Sequence, residues 1–258
     1  MQQETLKRRG TSFNLFLFML QYLLVMALYA LAWYIVPQLS LTLFILMSCW
    51  HFGETDIILP GMPTAYTSLI RIFYGLSVLA WLLFAHTTEV SSVLTRLVPA
   101  DGLVFRFWVK GIIYSNLMLI VSGLIIGLTV ILTTSGAQSK TNSWFKVKLL
   151  LILICCYFLP LLPAFALYFS GWHSMVTLYN INEYLEGEVS FQVRPLKKIW
   201  IRAVPFSVIA LSSLAITGYL LRSYAPLFNP LPLLFVFLSL ITLPHLGVMH
   251  LLNHKGRN

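Results

Sequence analysis

Four histidines lie inside long apolar runs of the sequence, namely His51, His173, His245 and His250. Ionisable side chains are costly inside apolar membrane spans, so they are functional candidates by default. Neutral imidazole is a good ligand for iron, copper or zinc, and imidazoles from several helices build metal sites inside helical bundles. These residues therefore predict a metal centre inside a membrane protein.

The apolar runs that carry the histidines predict an all-α, polytopic transmembrane helix bundle. A span needs about 20 mostly apolar residues, and the chain offers eight such runs, at roughly 13–36, 39–57, 67–86, 110–133, 147–162, 164–181, 200–222 and 229–252. Pro160 and Pro163 divide the fifth span from the sixth. A single kinked span there, giving seven in all, is the alternative. We expect one integral-membrane domain over residues 1–258.

The distribution of charge predicts the orientation and excludes some classes of protein. With both termini in the cytoplasm, thirteen of the 17 Lys and Arg residues lie inside, as the positive-inside rule requires. Hydrophobic residues make up 59% of the chain and charged residues 10%, which excludes a soluble globule. The net charge of +9 is scattered between apolar runs, so nucleic-acid binding is not expected. The three cysteines have no zinc or disulfide spacing.

In the eight-span topology, His51, His173 and His245 lie at comparable depths, because their spans run in the same direction. One buried histidine is more often structural than a metal ligand, but three at one depth favour a shared metal. His250 lies five residues after His245, about 140° around an ideal helix. It can face the same metal only if Pro244 and Gly247 distort the turn.

The neighbours of these histidines have two interpretations each. Asp56 is either a helix-end group or a second-shell residue that orients an imidazole by a hydrogen bond. Glu54 is expected to be a solvated interfacial carboxylate, and His86 is expected to be peripheral. Aromatic residues flank the histidines and either pack or face lipid, or line a pocket for a long apolar ligand: Trp50, Phe52, Tyr168, Phe169 and Trp172.

Three motifs resemble, in order, those of the Brp/Blh (bacterioopsin-related protein) family of membrane β-carotene 15,15'-dioxygenases. They are Trp50-His51-Phe52-Gly53-x-x-Asp56, Tyr168-Phe169-x-x-Trp172-His173-Ser174 and Thr242-Leu243-Pro244-His245. A further segment, Phe84-Ala85-His86-Thr87-Thr88-Glu89, is also similar to the family. The resemblance implies Fe(2+) held by histidines among membrane helices. It also implies the cleavage of β-carotene by dioxygen at the central double bond into two retinals, with a retinal-binding rhodopsin as a possible product acceptor.

The sequence departs from the family pattern in two places. Family members carry an earlier Pro-His-Gly-Ala-x-Asp signature, and nothing before Phe13 matches it. In many members a second histidine follows the Trp-His-Ser histidine by four residues, where this chain has Thr177. We therefore expect an N-terminal ligand-bearing helix to be lacking, and slow or absent cleavage by this chain alone.

Two other functions remain open from the residues alone. One is a catalytically impaired homologue that binds carotenoid or retinal, or assists a retinal protein. The other is a transporter whose histidines relay protons, although the spans carry few carboxylates away from their ends. For the enzyme, the expected ligands are His51, His173 and His245, with His250 in reserve. Its location is expected to be the prokaryotic inner membrane.

Overall fold

A computed structural model describes residues 15–57, 64–134, 143–178 and 231–255, together with isolated positions between 201 and 223. Regular structure among these residues is entirely helical, which confirms the all-α prediction. The helices are α1 (Leu15–Ile35), α2 (Pro37–Asp56), α3 (Thr64–Phe84), α4 (Thr87–Leu97), α5 (Leu103–Ile113), α6 (Ser115–Thr134), α7 (Ser143–Phe158), α8 (Leu161–Tyr168) and α9 (Leu231–Lys255).

Three of these helices contain stretches that are long and apolar enough to cross a membrane: Phe16–Ile35, Ala65–Phe84 and Ser115–Leu132. They correspond to the first, third and fourth predicted spans, and the chain is a membrane protein. The fourth span begins later than predicted, because the helix is interrupted at Tyr114, between α5 and α6. The seventh predicted span falls largely outside the described residues, so the total of eight remains a prediction.

The chain divides into two compact units, of which one comprises Pro37–Leu178. Helix α3 lies at the centre of this unit and packs against α2 and α6. Its fully buried residues Tyr74, Val78 and Leu82 are spaced four apart, so they form one stripe along the helix. The stripe belongs to a core that includes residues of α7 and α8.

Two glycines bring α2 and α3 into close contact. A Cβ atom added to Gly53 would collide with the backbone of Arg71, and one added to Gly75 would collide with the backbone of Cys49. Small residues allow this approach, as is common between membrane helices. The contact fixes the register of the α2 segment that carries His51 and Asp56.

The predicted division near Pro160 is confirmed as a break between helices. Helix α7 ends at Phe158, and α8 begins at Leu161 after the extended residue Pro160. After α8 the chain makes a wide π-helical turn over Phe169–His173 and then continues as α-helix over residues 174–178. This wide turn carries His173, one of the predicted metal ligands.

The other unit comprises Met1–Val36 and Tyr179–Asn258, of which the structure describes mainly α1 and α9. The Trp33 indole N–H donates to Ser239 Oγ at 2.8 Å, and the Tyr22 hydroxyl donates to the carbonyl of Ile241 at 3.3 Å. Pro244 lies inside α9, which nevertheless continues through it. The prediction of one domain for the whole chain remains a prediction.

Candidate functional site

The fold brings two of the predicted metal ligands together although they lie 122 residues apart in the sequence. His51 is near the end of α2 and His173 ends the π-helical turn. Their Nε2 atoms face each other at 3.2 Å, and both side chains are buried. The structure thus joins the Trp-His-Phe-Gly and Trp-His-Ser motifs at one point.

Asp56, the last residue of α2, lies directly behind His173. Its Oδ1 is 3.0 Å from Nδ1 of the His173 ring, whereas its Oδ2 accepts hydrogen bonds from other side chains. The Tyr168 hydroxyl donates at 2.7 Å, the Trp172 indole N–H at 2.9 Å and the Tyr74 hydroxyl at 3.4 Å. Asp56 therefore contacts the imidazole of His173, which lies on a different segment from Asp56; its role in orienting a metal ligand remains a prediction.

The hydrogen bonds around the two rings orient their nitrogens. If His173 Nδ1 donates to Asp56, the lone pair of its Nε2 faces His51. On the other side, the Thr55 hydroxyl lies 3.4 Å from His51 Nδ1. A consistent arrangement has Thr55 donating to His51, His51 to His173, and His173 to Asp56.

The distance between the two rings is also within the range expected for two imidazoles on one metal ion. Two imidazole nitrogens bound to one ion at about 2.1 Å lie about 3.0 to 3.4 Å apart when the angle between the bonds is about 90 to 109°. The observed separation of 3.2 Å is within that interval. A carboxylate behind the ligating ring is also a recurrent feature of histidine metal sites.

Aromatic rings surround the two imidazoles. The Phe52 ring centroid is 5.1 Å from that of His173, and the Phe169 centroid is 6.0 Å from it. Phe165 stacks on Phe169 with centroids 5.7 Å apart. Phe52 is buried, whereas Phe165, Phe169 and Trp50 are only partly buried. The walls of the site are therefore apolar.

The other two predicted ligands belong to the second unit. His245 lies on α9, where its side chain is partly buried. His250 lies on the same helix, but its side chain is outside the described residues. Within the described part of the chain, no group of three His, Cys, Asp or Glu side chains could hold a metal ion. The assignment of His245 and His250 as ligands therefore remains a prediction.

Two expectations about neighbouring residues were wrong. Glu54 is buried, with only 5% of its surface exposed, and is not a solvated interfacial carboxylate. It follows Gly53 at the close contact of α2 with α3, where the helices exclude solvent. His86 is not peripheral either, because it is buried between two backbone carbonyls, those of Leu82 at 2.7 Å and Leu159 at 2.6 Å.

Tyr74, Thr55 and the wide turn of Phe169–His173 were missed by the sequence analysis. Tyr74 lies in the apolar run of α3, and only the pairing of α3 with α2 brings it to Asp56. The one local indication of the wide turn is Gly171, because glycine weakens a regular helix. Thr55 stands at an unspecified position of the motif that runs from Trp50 to Asp56, and Tyr74 belongs to none of the motifs.

Comparison with known proteins identifies the family of the chain. The family model described as beta-carotene 15,15'-dioxygenase matches residues 1–253. The chain belongs to this family. No curated protein and no solved structure matches the chain. The family match covers all three histidine motifs, so the site lies within the part of the sequence that characterises these dioxygenases.

Proposed function

We propose that the protein cleaves β-carotene with dioxygen at the central double bond, giving two retinals, and that His51 and His173 are ligands of the Fe(2+) it uses. One observation carries the proposal. Two buried imidazoles face each other at 3.2 Å, with a carboxylate behind one of them, in a member of the carotene dioxygenase family. Both atoms of dioxygen enter the products, one in each aldehyde.

The residues of the chain have distinct tasks in this reaction. His51 and His173 hold the iron, which when bound supplies the redox chemistry that activates dioxygen. Asp56 keeps the His173 ring in one orientation through Nδ1. The rings of Phe52 and Phe169 keep water from the imidazoles and offer apolar edges to a polyene. We propose that Phe169 and Trp50, both partly buried, contact the substrate.

The membrane setting suits this substrate. β-Carotene is a rigid hydrocarbon about as long as the hydrocarbon core of a bilayer is thick, and dioxygen is enriched in lipid. Both therefore reach a site between helices from the membrane without passing through water. We propose the prokaryotic inner membrane as the location, with both termini in the cytoplasm and a rhodopsin as a possible acceptor of retinal.

Two imidazoles leave positions on the iron that other groups must fill. His245 and His250 on α9 are the candidates for this role, with His245 preferred.

The test uses the purified 258-residue chain in detergent. We expect it to bind Fe(2+) in a 1:1 ratio and to convert β-carotene to retinal slowly, as the departures from the family pattern predict, with two retinals per carotene consumed. The variant His173→Ala is expected to lose both properties, whereas Tyr157→Phe, a change on the exposed face of α7, retains them. Bound iron with β-carotene left intact would contradict the proposed activity.

A second candidate function is a carotenoid-binding protein without turnover. It is favoured by Thr177, which stands at the position where many members of the family have a histidine. The two functions differ in the product of the same experiment. The enzyme releases retinal, whereas the binding protein retains carotenoid whose absorption spectrum is shifted but whose chain is intact.

A further inference from the structure

A buried network of three hydrogen-bond donors converges on one oxygen of Asp56. Tyr168, Trp172 and Tyr74 all donate to Oδ2, at 2.7, 2.9 and 3.4 Å. The other oxygen, Oδ1, is left to His173 Nδ1 at 3.0 Å. Three donors on one oxygen fix the rotation of the carboxylate, so the second oxygen is aimed at the histidine.

Burial makes this network expensive to break. A carboxylate removed from water is costly unless donors or cations compensate it, and here the compensation comes from two hydroxyls, an indole N–H and the imidazole. Tyr74 and Tyr168 have no exposed surface, and Trp172 has 3%. The polar groups of the three aromatic side chains therefore all lie at Asp56, and their rings are enclosed by protein.

The wide turn of Phe169–His173 explains how one short segment supplies three of the contacts. Tyr168 and Trp172 are four residues apart and share a face of an ordinary α-helix, but His173 would point about 140° away from Tyr168. A π-helical turn is wider, so a residue five positions on returns toward the same face. The turn thus directs Tyr168, Trp172 and His173 to the same carboxylate.

We propose that Tyr168, Trp172 and Tyr74 are positioning residues that act through Asp56 to hold the His173 ring with Nε2 toward His51. This replaces the expectation that Tyr168 and Trp172 line the path of the carotenoid. The inference rests on the proposed function in taking His173 as an iron ligand. The partly buried Phe169 remains the substrate contact on this segment.

The experiment separates metal binding from substrate binding. Tyr168→Phe removes one hydroxyl and is expected to weaken Fe(2+) binding by about tenfold, as changes behind a ligating histidine do. Its KM for β-carotene is expected to stay unchanged. Tyr74→Phe is expected to act in the same direction with a smaller effect, because its hydrogen bond is longer. Phe169→Leu is expected to do the reverse, raising KM and leaving the iron affinity unchanged.

A second readout needs no metal. Nitrogen-15 NMR of the histidine rings in the metal-free protein reports which nitrogen of His173 carries the proton. We expect the Nδ1–H form in the unmodified chain, and a mixture of the two tautomers in Tyr168→Phe at the same pH. Tyr157→Phe is the matched control, since this tyrosine is exposed on α7, and it is expected to change neither the tautomer nor the iron affinity.

The outcomes distinguish the inference from the proposed function. A Tyr168→Phe protein with normal iron affinity and a raised KM would overturn the inference and leave the dioxygenase intact. If the unmodified chain binds no iron, the proposed function fails, and the tautomer measurement alone decides the inference. An identical His173 tautomer in Tyr168→Phe, Tyr74→Phe and the unmodified chain would then overturn it.

Discussion

His173 and His86 are both buried in the unit of Pro37–Leu178, and both rings have partners at each nitrogen, yet their surroundings differ in kind. His86 contacts two backbone carbonyls, those of Leu82 and Leu159. His173 contacts a carboxylate through Nδ1 and a second imidazole through Nε2. Both ring nitrogens of His86 face carbonyl oxygens at hydrogen-bond distance, so neither nitrogen faces an open position for a metal. The partner chemistry, more than burial, distinguishes the two histidines.

The carboxylates near these histidines show the same contrast. Glu89 is three residues from His86 and accepts from the backbone N–H of Leu161, with its oxygens 3.1 and 3.2 Å away. It therefore closes the first turn of α8. His86 contacts the carbonyl of Leu159, the first residue after α7, so His86 and Glu89 together form a clamp at the break between the two helices. Asp56, by contrast, is surrounded by side-chain donors and the candidate ligand His173.

The largest expected effect is the loss of a ligand. His51→Ala and His173→Ala are each expected to weaken Fe(2+) binding by about 100-fold or more, since changes to groups that only support a ligand already cost about 10- to 100-fold. Iron titration of the purified variants measures this. In the same titration, His86→Ala should bind iron as the unmodified chain does. Equal iron affinity in all three variants would show that the assigned pair is not the metal site.

A gain of iron affinity is the next largest effect. Thr177 donates to the carbonyl of His173 at 2.8 Å, one helical turn away, so the two positions share a face. Thr177→His is expected to add an imidazole beside His173 and to tighten Fe(2+) binding about tenfold, which is about 1.4 kcal/mol. Thr177→Gln, which extends the side chain without an imidazole, is the control. An unchanged affinity in Thr177→His would mean that this face does not reach the metal.

The sequence was sufficient to predict an all-helical chain and to single out His51 and His173, which the fold brings together. The long apolar runs have one stable form in lipid, because a helix satisfies its own backbone hydrogen bonds. His51 and His173 stood out because an imidazole is rare and costly in such runs. The break near Pro160 was predictable for the same kind of local reason, since proline cannot continue a helix from the preceding turn.

The remaining features of the site depend on packing that local patterns do not encode. Asp56 lies five residues after His51 in sequence, but the pairing of its helix with the wide turn directs it to His173. Glu54 and His86 were both assigned to the surface because they lie near predicted span ends. Their burial follows from the close α2–α3 contact at Gly53 and from the clamp at the α7–α8 break. Such contacts join segments that are distant in the sequence, so no periodic pattern of residues predicts them.

A smaller effect, on stability alone, is expected for His86. His86→Ala removes a buried imidazole and its hydrogen bonding with the carbonyls of Leu82 and Leu159, and each lost hydrogen bond costs about 0.5–1.5 kcal/mol. The midpoint of thermal unfolding in detergent should therefore fall, while the iron affinity of the folded protein stays unchanged. For His173→Ala we expect the reverse, because its main effect is on the iron affinity and not on the unfolding midpoint. A loss of iron affinity in His86→Ala at an unchanged midpoint would remove the distinction between the two histidines.

The smallest expected effect comes from changing the carboxylate of the clamp to an amide. Glu89 is exposed on its helix, so solvent screens its interaction with the N-terminus of α8, and such interactions contribute only about 0.3–1 kcal/mol. Glu89→Gln keeps an oxygen that accepts from Leu161 and is expected to lower the unfolding midpoint only slightly, with no change in iron affinity.

The matched change Asp56→Asn is expected to weaken iron binding about tenfold, because the amide N–H₂ cannot accept hydrogen bonds from Tyr168 and Trp172 while the oxygen faces His173. Equal iron affinities in Glu89→Gln and Asp56→Asn would show that Asp56 supports the metal site no more than Glu89 does.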